Sequence, residues 1–208
     1  MRTAFRAAIA VGLIMTAAIA VAQSDFAQPP APTREDFFVV ANAPAHQPKG
    51  TNLTIVYFFD YQCPACRANH NDVRAVFNAD PKLRIIYRDT PFLGPRSMAA
   101  ARAAIAAKYQ RKHDAMHHTL MTQPLPLDDL AIRAAGKRAG VDWARLERDL
   151  ATHRKEIDAQ IAQNQNLSEA GGISGTPAFI VGETLADGAL DRKGLLGEIA
   201  DARKAKRR

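Results

Sequence analysis

The sequence predicts an α/β fold: a parallel sheet carrying helices and interrupted by an all-helical insertion. Three observations predict it. Asn52–Phe59 (NLTIVYFF) is a continuous β-branched and aromatic run, the pattern of a strand buried on both faces. Leu83–Arg88 (LRIIYR) repeats that pattern, and Val73, Val76 and Phe77 between the two runs lie at helical spacing. A crossover helix therefore joins two parallel strands. From Ser97 to Leu167 the chain reads as helix after helix, with breaks at 123–126 and Gly140 and with Asp142 as an N-cap.

The chain has 208 residues, 47% apolar and 24% charged, which excludes a collagen, a coiled coil or a wholly disordered protein. At the start, Arg2 and Arg6 precede an uncharged run, Ala7–Ala22, that closes on Ala20-Val21-Ala22. That is the layout of a secretory signal peptide (1–22) cleaved before Gln23. The run is shorter than the ~20 residues of a spanning helix, and an uncleaved membrane anchor is the alternative. Residues 23–36 read as a Pro-rich arm. The folded domain is expected over 37–202, with the helical insertion at about 97–168. After Gly171–Pro177, Ala178–Val181 reads as a strand, Thr184–Leu190 as a hairpin return and Asp191–Ala202 as a closing helix. Residues 203–208 (RKAKRR) read as a solvated basic tail.

The net charge of +7 invites a nucleic-acid reading, but its distribution argues against one. Two basic residues fall in the signal and five in the tail; between them 21 basic side chains face 21 acidic ones. A balanced body has no electrostatic footprint for DNA or RNA.

The only cysteines, Cys63 and Cys66, form a C-x-x-C pair. A disulfide closing so short a loop restrains little of the unfolded chain, so a structural staple is a poor reading. Tetrahedral zinc wants more ligands than this pair and its neighbours supply; Cu(I) is satisfied by two thiolates. Redox chemistry is the third and favoured reading. Pro64 suits the first turn of the helix that follows, which places Cys63 at the helix N-terminus. There, unpaired N–H groups and the macrodipole favour an anion, so the Cys63 thiol is expected below the ~8.5 of free cysteine. Cys66 lies one turn deeper, within reach of a mixed disulfide formed on Cys63.

Three ordered segments, FFDYQCPACR, DTPFLGPRSMAAARAAIAA and GTPAFIVG, together resemble the exported DsbA-like thiol:disulfide oxidoreductases over about 37–202. The resemblance implies a thioredoxin-like fold with an inserted all-helical subdomain, working without organic cofactor or metal. It implies Cys63 as nucleophile and Cys66 as resolving thiol. Thr176-Pro177 matches the loop whose proline is cis and faces the thiols, Thr176 presenting backbone groups to an extended substrate peptide. The implied partners are cysteine-containing exported proteins and a membrane or periplasmic redox partner that resets the pair.

Two departures bear on that expectation. The strongest oxidants of the family carry His immediately before the second cysteine, where this chain has Ala65, so the Pro64-Ala65 pair is expected to tune Cys63 to a milder acidity. Many relatives place an acidic residue six before the nucleophile, where this chain has Tyr57. Asp60 is the nearest carboxylate in sequence, either a proton-transfer group or a cap on the turn. His113, His117 and His118 read as a solvated helix face, His70 as exposed or as a tuning group, and Trp143 as a packing anchor of the insertion.

The function expected is disulfide donation to exported proteins in the periplasm. Isomerase or reductase activity is the nearer alternative, and a non-catalytic Cu(I) carrier or holdase the more distant one.

Overall fold

β2 (Leu53–Phe59) is the centre of a five-stranded sheet, ordered β1-β3-β2-β4-β5. The computed structural model describes residues 31–39, 41 and 43–207; the expected signal and most of the arm lie outside the described residues. β2 pairs in parallel with β3 (Leu83–Asp89), residue for residue from Leu53↔Leu83 to Phe59↔Asp89. On its other side it runs antiparallel to β4 (Ala178–Val181), which returns as β5 (Thr184–Asp187). The crossover between β2 and β3 is α1 (Pro64–Ala79). The insertion holds α2 (Pro95–Ala106), α3 (His113–Thr122), α4 (Asp129–Arg138), α5 (Trp143–Thr152) and α6 (Arg154–Ala170), and α7 (Arg192–Ala205) closes the fold. Among the described residues no helix is long and apolar enough to cross a membrane.

Three features differ from the expectation. A two-residue β1 (Ala45–His46) pairs antiparallel with β3, too short to leave a periodic signal. A 3-10 turn, Arg34–Phe38, starts the folded body ahead of residue 37, closed by a Thr33–Asp36 capping box and anchored by buried Phe37. Finally, residues 203–205 are not a free tail: they belong to α7, and Arg203 pairs with Asp80.

The period-2 geometry of β2 divides the interior. Ile55, Tyr57 and Phe59 face the larger core, shared with α1, α7 and the insertion; Val56 and Phe58 face a smaller one under the 3-10 turn and Leu167 of α6. Trp143 anchors the insertion as expected: its ring packs so closely on Gly136 that a Cβ there would lie 2.8 Å from it. Arg88, 1% exposed, ties the small core together. Its guanidinium donates to the carbonyls of Asp36, Phe37 and Val39 and to Asn164 Oδ1. Arg88→Met would leave these acceptors buried and unpaired, at about 3 kcal/mol of stability in urea denaturation.

The histidine face is buried, not solvated. Residues 113, 116, 117, 120 and 121 of α3 form one i, i+3, i+4, i+7, i+8 stripe, and its two imidazoles pack inward with the methionines and leucine. His117 sits edge-on to Phe59 at 4.7 Å, and its Nδ1 lies 3.1 Å from the Tyr61 hydroxyl. His70, on the facing side of α1, is buried as well, its Nε2 2.9 Å from His118 Nδ1.

Burial pushes His70 down to about 4, His113 to about 3 and His117 well below the ordinary histidine range. The unfolded chain takes up these protons near pH 6.5 and the native one does not, so native stability falls as pH drops from about 6.5 towards 4. Buried Asp89, pushed up to about 7, acts in the opposite sense: between the ordinary carboxylate range and 7 the native state holds the extra proton. Three histidines outweigh one aspartate, so the urea midpoint should be lower at pH 5 than at pH 7. Asp89→Asn should steepen that dependence, by up to about 1.4 kcal/mol per pH unit.

Candidate active site

The chain leaves β2 into a tight corner, Asp60–Gln62, and enters α1 with Cys63 as its N-cap and Pro64 at its first position. The corner is held from three sides. The Asp60 carboxylate, 1% exposed, accepts from the N–H of Gln62 (2.7 Å), the Ser97 hydroxyl (2.6 Å) and the N–H of Leu93 (3.0 Å). It thereby fixes the corner to the 90–94 loop and to α2, the turn-capping role Asp fills well. Arg67 of α1 donates to the carbonyls of Tyr61, Leu120 and Gln123. Gln62 Oε1 receives the N–H of Leu127 at 3.3 Å. Sequence reasoning assigned nothing to Arg67 or Gln62, whose partners Leu120, Gln123 and Leu127 lie more than fifty residues away.

The two thiols are free and their environments are opposite. Cys63 Sγ receives the N–H of Cys66 at 3.5 Å and, as a thiol, donates to the carbonyl of Thr176 at 3.1 Å. Its thiol is pulled down to about 5, first by the hydrogen bond from the Cys66 thiol, against burial. The Thr176 hydroxyl and the N–H groups of Cys66 and Ala65 assist. The acidity expected to be lost with Ala65 in the histidine position is thus supplied by donors of the helix turn itself. Cys66, fully buried, is driven strongly the other way by desolvation and by the bond it gives Cys63.

Thr176 and Pro177, joined by a cis peptide bond, precede β4 and meet Cys63 from the opposite wall. Tyr57 lies beneath, its ring stacked on Phe179 at 4.9 Å and its hydroxyl buried with no hydrogen-bond partner among the described residues. Burial holds that phenol protonated, and negative charge on Cys66 or Cys63 reinforces this. Cys63, Pro64 and Thr176 open onto a groove of about 620 Å³, walled by Phe92, Leu93 and Ile173 and edged by Glu169. Phe92 and Leu93 are 47% and 55% exposed, two large apolar side chains that the fold leaves beside a reactive thiol. Their signal in the sequence is the apolar pair directly after Pro91, at a turn where polar residues are usual.

Residues 54–200 match the DsbA-like thioredoxin domain. The chain belongs to this family. Among solved structures it is similar to a thioredoxin-like oxidoreductase from Silicibacter pomeroyi, with 36% identity and a TM-score of 0.77, over 83% of this chain and 99% of that one. It is also similar to the thiol-disulfide exchange protein alpha-DsbA2 of Wolbachia pipientis, with 27% identity and a TM-score of 0.76, over 80% and 90% of the two chains. A curated relative, a Na(+)/H(+) antiporter NhaA of Salinispora arenicola, is 26% identical over 74% of this chain. The chain spans only about a quarter of that relative's length, 24%. The family match confirms the thioredoxin-like fold expected from the sequence, with a mixed sheet in place of a purely parallel one.

The opposed thiols make a direct prediction. Alkylation of Cys63 by iodoacetamide should rise with pH to half its plateau near pH 5, while Cys66 stays unreactive at neutral pH. Thr176→Val removes one donor to the thiolate and should move that midpoint upwards.

Proposed function

We propose that this protein is an exported thiol:disulfide oxidoreductase that donates disulfides to cysteine-containing proteins of the periplasm. The observation that carries this reading is the pairing of a stabilised thiolate, Cys63, with a buried, protonated Cys66 at the edge of an apolar groove. The signal layout of residues 1–22 supports export.

In the oxidised protein, a substrate thiolate attacks Cys63 Sγ, the Cys63–Cys66 bond breaks, and Cys66 leaves as the thiolate and takes a proton. A second substrate thiolate then attacks its own sulfur in the mixed disulfide. The substrate disulfide forms, and Cys63 departs as the thiolate that the helix N-terminus stabilises. The substrate is oxidised by two electrons and the pair is reduced by two. Thr176 and Pro177 line the wall along which an extended peptide adds to the site; Phe92 and Leu93 offer an apolar seat beside the attacked sulfur. Asp60, Arg67 and Gln62 act as positioning residues, holding the corner that aims Cys63. A separate redox partner must withdraw the two electrons to complete the cycle.

The low acidity constant of Cys63 favours the donating direction. Stabilising the thiolate stabilises the reduced pair, which makes the disulfide more oxidising by tens of millivolts. Equilibration with glutathione followed by thiol trapping should therefore give a potential in the region of roughly −120 to −180 mV. A value near −270 mV would overturn donation in favour of reduction or isomerisation. Failure to turn over a dithiol peptide at all would favour a binding protein.

A further inference from the structure

The positive surplus of the described body collects at one pole. Lys82, at the turn into β3, and Arg203, Lys206 and Arg207, at the end of α7, line an open pocket of about 500 Å³ together with Asn52. Asn52 and Lys82 stand just before the first residues of β2 and β3, whereas Cys63 follows the last residue of β2, so the pocket and the thiols occupy opposite ends of the sheet.

The cations are held in place largely by neutral groups. Lys206 Nζ donates to the Asn52 carbonyl at 3.0 Å, and Arg207 Nε to the Arg203 carbonyl at 3.2 Å. Arg203 bonds Asn52 Oδ1 at 3.1 Å and Asp80 at 2.6 Å, and its buried Nη2 has no partner among the described residues. A buried donor without a partner is rare and calls for one.

Two charges oppose the four cations: the Asp80 carboxylate and the C-terminal end of α7, equivalent to about half a negative charge. One basic side chain would balance the helix end. What remains is a surplus of about two and a half positive charges facing an open cavity, far more than helix capping requires. Guanidinium forks and lysine point charges at such a site suit the oxygens of a phosphate.

We propose that this pocket binds a phosphate group, and that the source its placement favours is the headgroup of an anionic lipid. The start of the described chain lies at the same pole: Arg34 donates to the Gly182 carbonyl at 3.5 Å, and a Cβ on Gly182 would lie 3.3 Å from Ala202 of α7. A protein resting on a bilayer through this pole, where the described chain starts, presents its thiol pair away from the surface towards soluble chains.

The test uses the full chain and the charge-reversed variant Lys82→Glu/Lys206→Glu. Both are titrated with vesicles of phosphatidylglycerol and phosphatidylcholine in equal parts, with phosphatidylcholine vesicles alone, and with inorganic phosphate. The wild type should bind the anionic vesicles at least about tenfold more tightly than the neutral ones, and the variant should lose that difference. Saturable binding of inorganic phosphate, lost in the variant, supports the site and assigns it to the free ion if the vesicles show no preference. Two results overturn it: no preference for anionic vesicles together with no phosphate binding, or a variant that binds as the wild type does. Cys63 alkylation at the far pole reports folding of the variant, and Lys206→Glu alone takes its place if the double change prevents folding.

Discussion

One hydrogen bond organises the candidate site: the Cys66 thiol donates to the Cys63 sulfur and keeps its own proton. That single contact has two consequences. It stabilises negative charge on Cys63, which lines the groove, and keeps the deeper Cys66 neutral, so the pair holds one charge at the groove. The bond requires Cys66 to be desolvated, and desolvation comes from the packing of Tyr57, Phe59 and Phe179 beneath it. It also requires Cys63 to stand at the mouth of α1 with the first turn's N–H groups free, which is why the corner before the helix is clamped so heavily. Asp60, Gln62 and Arg67 belong to that corner or to α1, yet their partners come from the 90–94 loop and the insertion. The helical insertion is therefore part of the active site's frame even though it contributes no reacting group.

Much of this was legible in the sequence, for physical reasons. A strand buried on both faces needs an unbroken apolar run, and a thiolate at a helix entry needs the C-P-x-C spacing; both are local patterns. Legibility ended where an arrangement depended on distant partners. Two of the three histidines of α3, His113 and His117, were polar letters in an apolar stripe, and the approach of α1 makes His117 an interior ring and not a solvated one. The same holds for Arg88, the last letter of the LRIIYR run, whose carbonyl partners near the start of the folded body make it an interior clasp. Arg203–Arg207 read as a loose tail because the sequence gives no sign that Asp80 and Asn52 hold α7 to its last turn.

The substitution of Ala65 for a histidine next to the second cysteine shows how far one local feature can be trusted. An imidazole there is one donor to the thiolate among several. In this chain the Cys66 thiol, the Thr176 hydroxyl and two backbone N–H groups remain, and none depends on the identity of residue 65. Side-chain donors can be lost by substitution; backbone donors at a helix N-terminus are lost only if the helix is. The acidity of Cys63 thus rests first on the Cys66 thiol, with the Thr176 hydroxyl and the backbone donors behind it, and none of these needs a particular side chain at residue 65.

The buried polar groups behind the site extend this reasoning to the rest of the domain. Tyr61 belongs to the active-site corner, its carbonyl held by Arg67 and its hydroxyl 3.1 Å from His117, the innermost ring of the histidine stripe. Asp89, at the end of β3 and facing the same phenol, is pushed up to about 7 by burial, so it is about half protonated at neutrality. Neutral histidines and phenols thus surround the Asp89 carboxyl, and the buried Asp60 carboxylate beside Cys63 is held by three donors. The thiolate on Cys63 is governed first by the hydrogen bond from the Cys66 thiol, then by Thr176 and the backbone N–H groups of the helix entry. A desolvated site at Cys66 that disfavours charge and a helix mouth at Cys63 that stabilises it, separated by one turn of α1, set two identical side chains apart.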